Sequence, residues 1–391
     1  MNTAILHTEV QDFINKNLSS DLSKLIFKGS PFHGITIQEI AAQIESKKKA
    51  QTKLPTWFKK PFIYYPNKLN LEQTSSEITA NYKSQFVSGN HLIDLTGGFG
   101  VDTYYFSKKI KKVTHCEINN DLSEIVEHNY KILELDNIET VAEDGLTYLK
   151  NHGKSYDWIY IDPSRRSDVK GKVFMLEDCL PNIPENLETL FKFSNHILIK
   201  ASPMLDLTKA INELEFVKEI HVVAVDNDVK ELLFICEKSY KGQIFIKTVN
   251  HKKTSDEYFE STFNASLPSN YSLPQTYLYE PNSAILKAGL FDEVSNQLKT
   301  FKLHNNSHLY TLNKLIKFPG RSFKIIQTMS YNLKELKKSF PFTKANITIR
   351  NFPETVAKIR KKTKIKEGGD QYLFFTTDCK DKHIIIHCEK V

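Results

Sequence analysis

The chain has 391 residues and a mass of 45.1 kDa, more than one hydrophobic core usually supports, so two or three domains are expected. A content of 40% hydrophobic, 25% charged and 11% aromatic residues excludes global disorder, and no run approaches the roughly 18 apolar residues of a membrane span. The net charge of +7 is uneven: residues 319 to 391 hold 16 Lys+Arg against 7 Asp+Glu, which leaves 37 against 39 before them.

The N-terminal MNTAILHTEVQDFINK has no basic stretch leading into an apolar one, which argues against a secretion signal. Cys116, Cys179, Cys236, Cys379 and Cys388 form no C-x-x-C pair, a pattern of reduced thiols, so a cytoplasmic location is expected. Residues 1 to 70 read as a helical region. EVQDFINKNL and ITIQEIAAQIESKKKA space apolar residues by three and four, the second after Gly34, before the prolines of LPTWFKKPFIYYP interrupt. Trp57, Tyr64 and Tyr65 read as packing between these helices and the next domain of the chain.

Residues 71 to 240 change to short apolar runs alternating with helical stretches, the signature of β-α units around a parallel sheet. Seven strands are expected at 91–95, 112–117, 139–143, 157–162, 196–200, 217–225 and 230–237. Only DNDV joins the last two, which predicts an antiparallel hairpin at the sheet's edge. The fold class is therefore α/β with a seven-stranded, Rossmann-like sheet, and five β-α units closed by such a hairpin resemble a class I methyltransferase sheet more than a dinucleotide-binding dehydrogenase.

Residues 241 to 318 are less regular. KTSDEYFESTFNASLPSNYSLPQ reads as a polar linker, and a small intermediate domain, of ferredoxin-like type as one possibility, begins near YLYEPNSAIL. Residues 319 to 391 read strand, helix, Gly368-Gly369 turn, strand, turn, strand: a small α+β module holding the basic excess. An excess of this kind points to an anionic partner, most often nucleic acid.

The chemistry concentrates at strand ends. In IDLTGGFGVDT a strand closes on Asp94 and Leu95, and Thr96, Gly97, Gly98 and Gly100 turn into a helix near Asp102. Glycine lets a ligand approach the backbone there. Thr103 stands where a dinucleotide fingerprint needs its third glycine, so the spacing suits S-adenosylmethionine instead. Glu117 ends the next strand 19 residues after Gly98, where a carboxylate accepts from both ribose hydroxyls. Asp144 follows the third strand and can meet an adenine amino group or cap a helix. The fourth strand ends in Asp162-Pro163-Ser164-Arg165-Arg166.

Through these residues, 71 to 240 resemble class I S-adenosylmethionine-dependent methyltransferases, and the whole chain is similar to a bacterial group in which that domain precedes a THUMP-like domain at 319 to 391. LEQTSSEITANYKSQF resembles the upstream segment of cap-type guanine-N2 RNA methyltransferases. The resemblance implies that Gln73, Thr74, Ser75 and Ser76 line the cofactor pocket, with Asp94, Gly98 and Asp102 near the methionine part and Glu117 on the ribose. A capped helix is the competing reading of Ser75 and Ser76.

Amino-methyltransferases of this resemblance orient the target amine with D/N-P-P-aromatic. Asp162 and Pro163 match it, while Ser164 and Arg165 replace the proline and the ring; these four are the candidate catalytic residues, and Asp162 is also a candidate cofactor contact. A guanidinium can stack on a base or clamp a phosphate, or Arg165 and Arg166 can pair with Glu177 or Asp178. Uracil-C5 chemistry needs a cysteine after the fifth strand, and Lys200-Ala201-Ser202-Pro203 offers alanine. Cys179 reads as a packed thiol.

Arg166, Lys358, Arg360, Lys361, Lys362, Lys364 and Lys366 are the candidate RNA contacts, the competing reading of the run being a solvated face. The spacing of Cys379, His383, His387 and Cys388 matches no zinc motif, so no metal is expected. The expected function is methylation of an exocyclic base amine, guanine N2 foremost, in tRNA or rRNA, with S-adenosylmethionine as cofactor, RNA as partner, and neither a membrane nor a stable protein partner. The rivals are a protein or small-molecule methyltransferase and a silent RNA-binding protein.

Overall fold

The computed structural model describes all residues except 166–174, 266–267, 333–335, 337–339 and 341–342. The chain forms two compact units, residues 1–219 with 232–242, and residues 220–231 with 243–391.

In the first unit, α1 (Thr8–Lys16), α2 (Leu22–Lys28), α3 (Ile37–Lys53) and α4 (Pro55–Lys59) precede the sheet. Thr36 and Glu39 close a capping box at the start of α3, and Ile37, Ile40, Ala41 and Ile44 form its buried stripe. Those isoleucines join Trp57, Phe99, Tyr104, Val126 and Tyr130 in one hydrophobic cluster, so residues 1–70 share a core with the β-α region. Trp57, 1% exposed, lies with its ring centroid 4.7 Å from that of Tyr104. The helix α2 had no clear signal, because in LSKLIFK only Leu25 is buried and Phe27 is 92% exposed.

Two short helices, α5 (Lys68–Gln73) and α6 (Glu77–Ser84), lead to the sheet. Its strands are β1 (Gly89–Asp94), β2 (Ile110–Cys116), β3 (Ile138–Val141), β4 (Trp158–Ile161), then β7 (His196–Ala201), β8 (Val217–Val225) and β9 (Asp228–Glu237), with the ribbon β5 (Ser164–Arg165) and β6 (Cys179–Leu180) between. Helices α7 (Val101–Ser107), α8 (Asn120–Ile132), α9 (Gly145–His152), α10 (Ile183–Phe193) and α11 (Leu207–Glu213) connect them. The order β3-β2-β1-β4-β7-β9-β8 is parallel from β3 to β7, with β9 antiparallel to β7.

Each sequence-derived strand is present. The β8–β9 hairpin turns on Asp226 and Asn227, both at positive φ (49° and 65°), the backbone a two-residue hairpin needs. The hairpin is not the sheet's edge, because the order continues through β10 (Phe245–His251) and β11 (Glu257–Thr262). The stretch expected as a polar linker therefore contains a strand. Phe259 is its one buried hydrophobic side chain, too little apolar alternation to announce it.

The second unit also holds a seven-stranded sheet with β12 (Tyr277–Pro281), β13 (Phe301–Lys302), β14 (Tyr310–Leu312), β15 (Gly320–Ser330), β16 (Asn346–Arg350), β17 (Tyr372–Thr377) and β18 (His383–Lys390). Its order is β13-β14-β12-β15-β18-β17-β16. Helices α12 (Ser283–Ala288) and α13 (Phe291–Gln297) follow β12, and α14 (Val356–Thr363) links the parallel pair β16 and β17. Strands from both sides of residue 319 thus share one sheet. Successive residues of β17 and β18 enter two cores: Phe374, Ile384, Ile386 and Cys388 one, Leu373, Phe375 and Ile385 the other, as period-two side chains must when both faces are covered.

Candidate functional site

The glycine turn sits at the carboxyl ends of β1 and β2. Gly98 and Gly100 are left-handed, with φ of 55° and 75°, which a Cβ would resist. Gly97 is constrained by space: a Cβ there would lie 2.1 Å from Nε2 of His115. Beneath the turn, Tyr130 OH donates to Gly100 O at 2.9 Å. A Cβ on Gly98 would meet nothing closer than 3.9 Å, so this residue alone of the three turns an open face outward.

The acids around the turn have distinct roles. Asp94, 1% exposed, is turned inward and accepts from Thr96 N–H at 3.0 Å and Thr103 Oγ1 at 2.7 Å. Burial pushes its carboxyl up to about 7 against those hydrogen bonds. Glu117 accepts from Gly98 N–H at 2.8 Å through Oε2 and from Asn119 N–H at 2.8 Å through Oε1. Each oxygen keeps further acceptor capacity. Ile118, next in sequence, is 72% exposed, an apolar surface beside that carboxylate. Asp144 caps α9, Oδ1 accepting from Thr147 N–H at 2.9 Å and Thr147 Oγ1 at 2.8 Å. Gly145 packs under the turn, where a Cβ would be 2.3 Å from Leu95 O.

Asp102 opens a buried network. Its Oδ2 accepts from Ser75 Oγ at 2.9 Å and Tyr160 OH at 2.7 Å, and Lys83 Nζ lies 3.2 Å from Oδ1. Burial opposes its ionisation, but the Lys83 and Lys200 ammoniums and the hydrogen bonds from Tyr160 and Ser75 outweigh it and hold the carboxyl below its usual range. The serine pair divides: Ser76 caps α6, accepting from Thr79 N–H at 3.3 Å, while Ser75 donates to Asp102. Gln73 is exposed at the end of α5, and Thr74 follows it.

Asp162 is joined to the turn, its N–H donating to Thr96 Oγ1 at 2.7 Å. Its Oδ2 meets the Lys200 ammonium. Pro163 is buried and Ser164 exposed. Ser164 and Arg165 are a strand, paired with Leu180 and Cys179, so the motif leads into a ribbon. The Arg165 side chain and all of Arg166 lie outside the described residues. Cys179 is buried, its thiol donating to Met175 O at 3.5 Å.

In the second unit the basic run divides. Arg360 donates to Ile365 O at 3.1 Å and Ala345 O at 3.3 Å, and Lys362 to both Glu354 oxygens at 2.6 and 2.7 Å. Both are expected as RNA contacts, and each also finds acceptors within its own unit. Lys358, Lys361, Lys364 and Lys366 are exposed. Of the Cys/His cluster, Cys388 is buried in the core and His383 Nδ1 lies 3.1 Å from Thr377 Oγ1. No group of His, Cys, Asp and Glu able to hold a metal occurs among the described residues.

Sequence reasoning missed Lys83, His115, Gly145, Tyr160 and the pairing of Lys200. The first four gave no signal, since each acts through a neighbour on another element. Lys200 was visible only as a charged strand end.

Residues 320–390 match a family described as THUMP domain-like, and residues 277–319 one described as a ferredoxin-like domain. An RNA methyltransferase of Mycoplasma mobile, described as uncharacterized, is 31% identical over 135 residues, 33% of this chain; the chain spans 37% of that relative's length. A crystal structure described as a "putative methyltransferase" from Porphyromonas gingivalis W83 is 31% identical, with a TM-score of 0.86 over 100% of this chain and 99% of that one.

Proposed function

Because the chain belongs to the class I S-adenosylmethionine-dependent methyltransferases that carry a C-terminal THUMP-like domain, we propose that it methylates an exocyclic amine of an RNA base, guanine N2 foremost, in tRNA or rRNA. The observation that carries this reading is the 2.7 Å hydrogen bond from Asp162 N–H to Thr96 Oγ1. It ties the candidate amine acceptor to the turn whose glycines and Glu117 fit a nucleoside.

S-adenosylmethionine supplies a methyl group on a sulfonium. The open face of Gly98 and the Glu117 carboxylate would hold its ribose, Ile118 its adenine, and Ser75 with Asp102 its methionine end. Asp162 and the Pro163 carbonyl would accept the two N–H bonds of the target amine and point its lone pair along the C–S axis. A methyl group held there would exchange its C–S bond for an N–C bond, the sulfur leaving as a neutral thioether and the amine giving up one proton to water. The exposed Lys358, Lys361, Lys364 and Lys366 support docking on RNA phosphates.

Incubation with methyl-labelled S-adenosylmethionine and separated tRNA, rRNA, DNA and protein fractions tests the reading. Label is expected in RNA, on an exocyclic nitrogen. Label in protein or a small molecule alone, or in nothing, overturns it.

A further inference from the structure

We propose that Lys200 positions the target base: together with Asp162 it holds an amidine edge, the carboxylate accepting from the exocyclic amine and the ammonium donating to the ring nitrogen beside it. This rests on the role given to Asp162 above and deepens it. Strands β4 and β7 are parallel neighbours with Ile161 opposite Ile199, so Asp162 and Lys200 come next in register at the same carboxyl edge. The ammonium meets Asp162 Oδ2, with the lysine side chain 13% exposed and the aspartate 34%.

Adenine, cytosine and guanine each carry their amine on a carbon bonded to a ring nitrogen with a lone pair: N6 beside N1, N4 beside N3, N2 beside N3. Uracil has no such edge. An acceptor beside a donor is its complement, and an ammonium has three N–H donors, so one can stay on Asp162 while another turns to the base. Where Asp-Pro is followed by a second proline and an aromatic ring, stacking fixes the base plane. Here Ser164 and Arg165 begin a ribbon instead, and a second in-plane hydrogen bond supplies orientation that the ring would otherwise provide.

The test measures methyl transfer from labelled S-adenosylmethionine to bulk tRNA and rRNA by wild type, Lys200→Met and Lys200→Arg. The modified nucleoside is identified by digestion, and transcripts carrying its deaza analogue, with C–H in place of that ring nitrogen, are then compared. Lys200→Met should lower kcat by about 10- to 100-fold, a larger factor than any change in calorimetric affinity for S-adenosyl-homocysteine, and Lys200→Arg should recover part of the rate. The deaza transcript should cost wild type a similar factor and Lys200→Met nothing. Should Lys200→Met misfold, Lys200→Leu takes its place in the same comparison. Full activity of Lys200→Met, an equal deaza effect in both proteins, or label on a ribose or ring carbon overturns the proposal. No label in any RNA with wild type overturns the functional reading and the proposal together, whereas an active enzyme indifferent to Lys200 overturns the proposal alone.

Discussion

Asp94 and His115 are register neighbours on β1 and β2, and burial moves them oppositely, Asp94 up to about 7 and His115 down to about 4. Between pH 4 and 7 the native state keeps a proton on Asp94 that the unfolded chain has lost, so this group makes stability fall as pH rises. Below 6.5, the ordinary value of His115, the unfolded chain carries a proton that the native imidazole refuses, so stability rises with pH. The slopes oppose each other, and each variant should expose the other's partner. Asp94→Asn should give a urea midpoint that climbs from about pH 4 to 6.5, and His115→Phe one that drops from about pH 4 to 7. Midpoints that track wild type in both would remove the assignment. At the turn, Gly97→Ala drives a methyl into His115 at 2.1 Å and should cost about 1–3 kcal/mol in denaturant unfolding. Glu117→Gln should weaken cofactor binding in calorimetry, while Asp162→Asn should lower kcat and leave binding intact; the reverse pattern would exchange their roles.

Among elements, the decisive joint is α6 against α7. Lys83 on α6 is 0% exposed and paired with Asp102 on α7, and Tyr160 of β4 closes the same carboxylate. Removing one member of a buried pair strands the other charge. Lys83→Met should therefore destabilise by roughly 3–5 kcal/mol, and Lys83→Met with Asp102→Asn should recover a large part of that loss in urea unfolding. A double variant no better than the single would show that packing, not charge, holds the joint. Ser76→Ala removes only an N-cap and should cost about 1 kcal/mol.

For the whole molecule, the charge asymmetry sets the expected dependence on salt. Four of the six cations between Lys358 and Lys366 are exposed candidates for phosphate contact. Replacing Lys358, Lys361, Lys364 and Lys366 by Gln should flatten the slope of log affinity for RNA against log salt by roughly 2.8 to 3.6, read by fluorescence anisotropy. An unchanged slope would take RNA docking away from this surface. The second unit also binds its parts through Glu280, 3% exposed, which accepts from Arg321 on β15 and from Arg350 Nη2 on β16 at 2.9 Å. The family matches divide at residues 319 and 320, yet this carboxylate ties strands from both sides.

Period and punctuation were enough to determine the β-α succession, the glycine turn after Asp94 and the strand, helix and two strands of the last module, because each is written in neighbours a few residues apart. Strand β11 stayed hidden because one buried Phe259 makes no pattern. Which partners each acid takes within the fold was decided only by tertiary structure. Asp94, Asp102 and Asp144 look alike in sequence, but Thr103, Lys83 and the first turn of α9 claim them from other positions. The same holds for Arg360, Lys362 and Lys200, since a side chain's partners come from whichever strand or helix folding brings within about 3 Å.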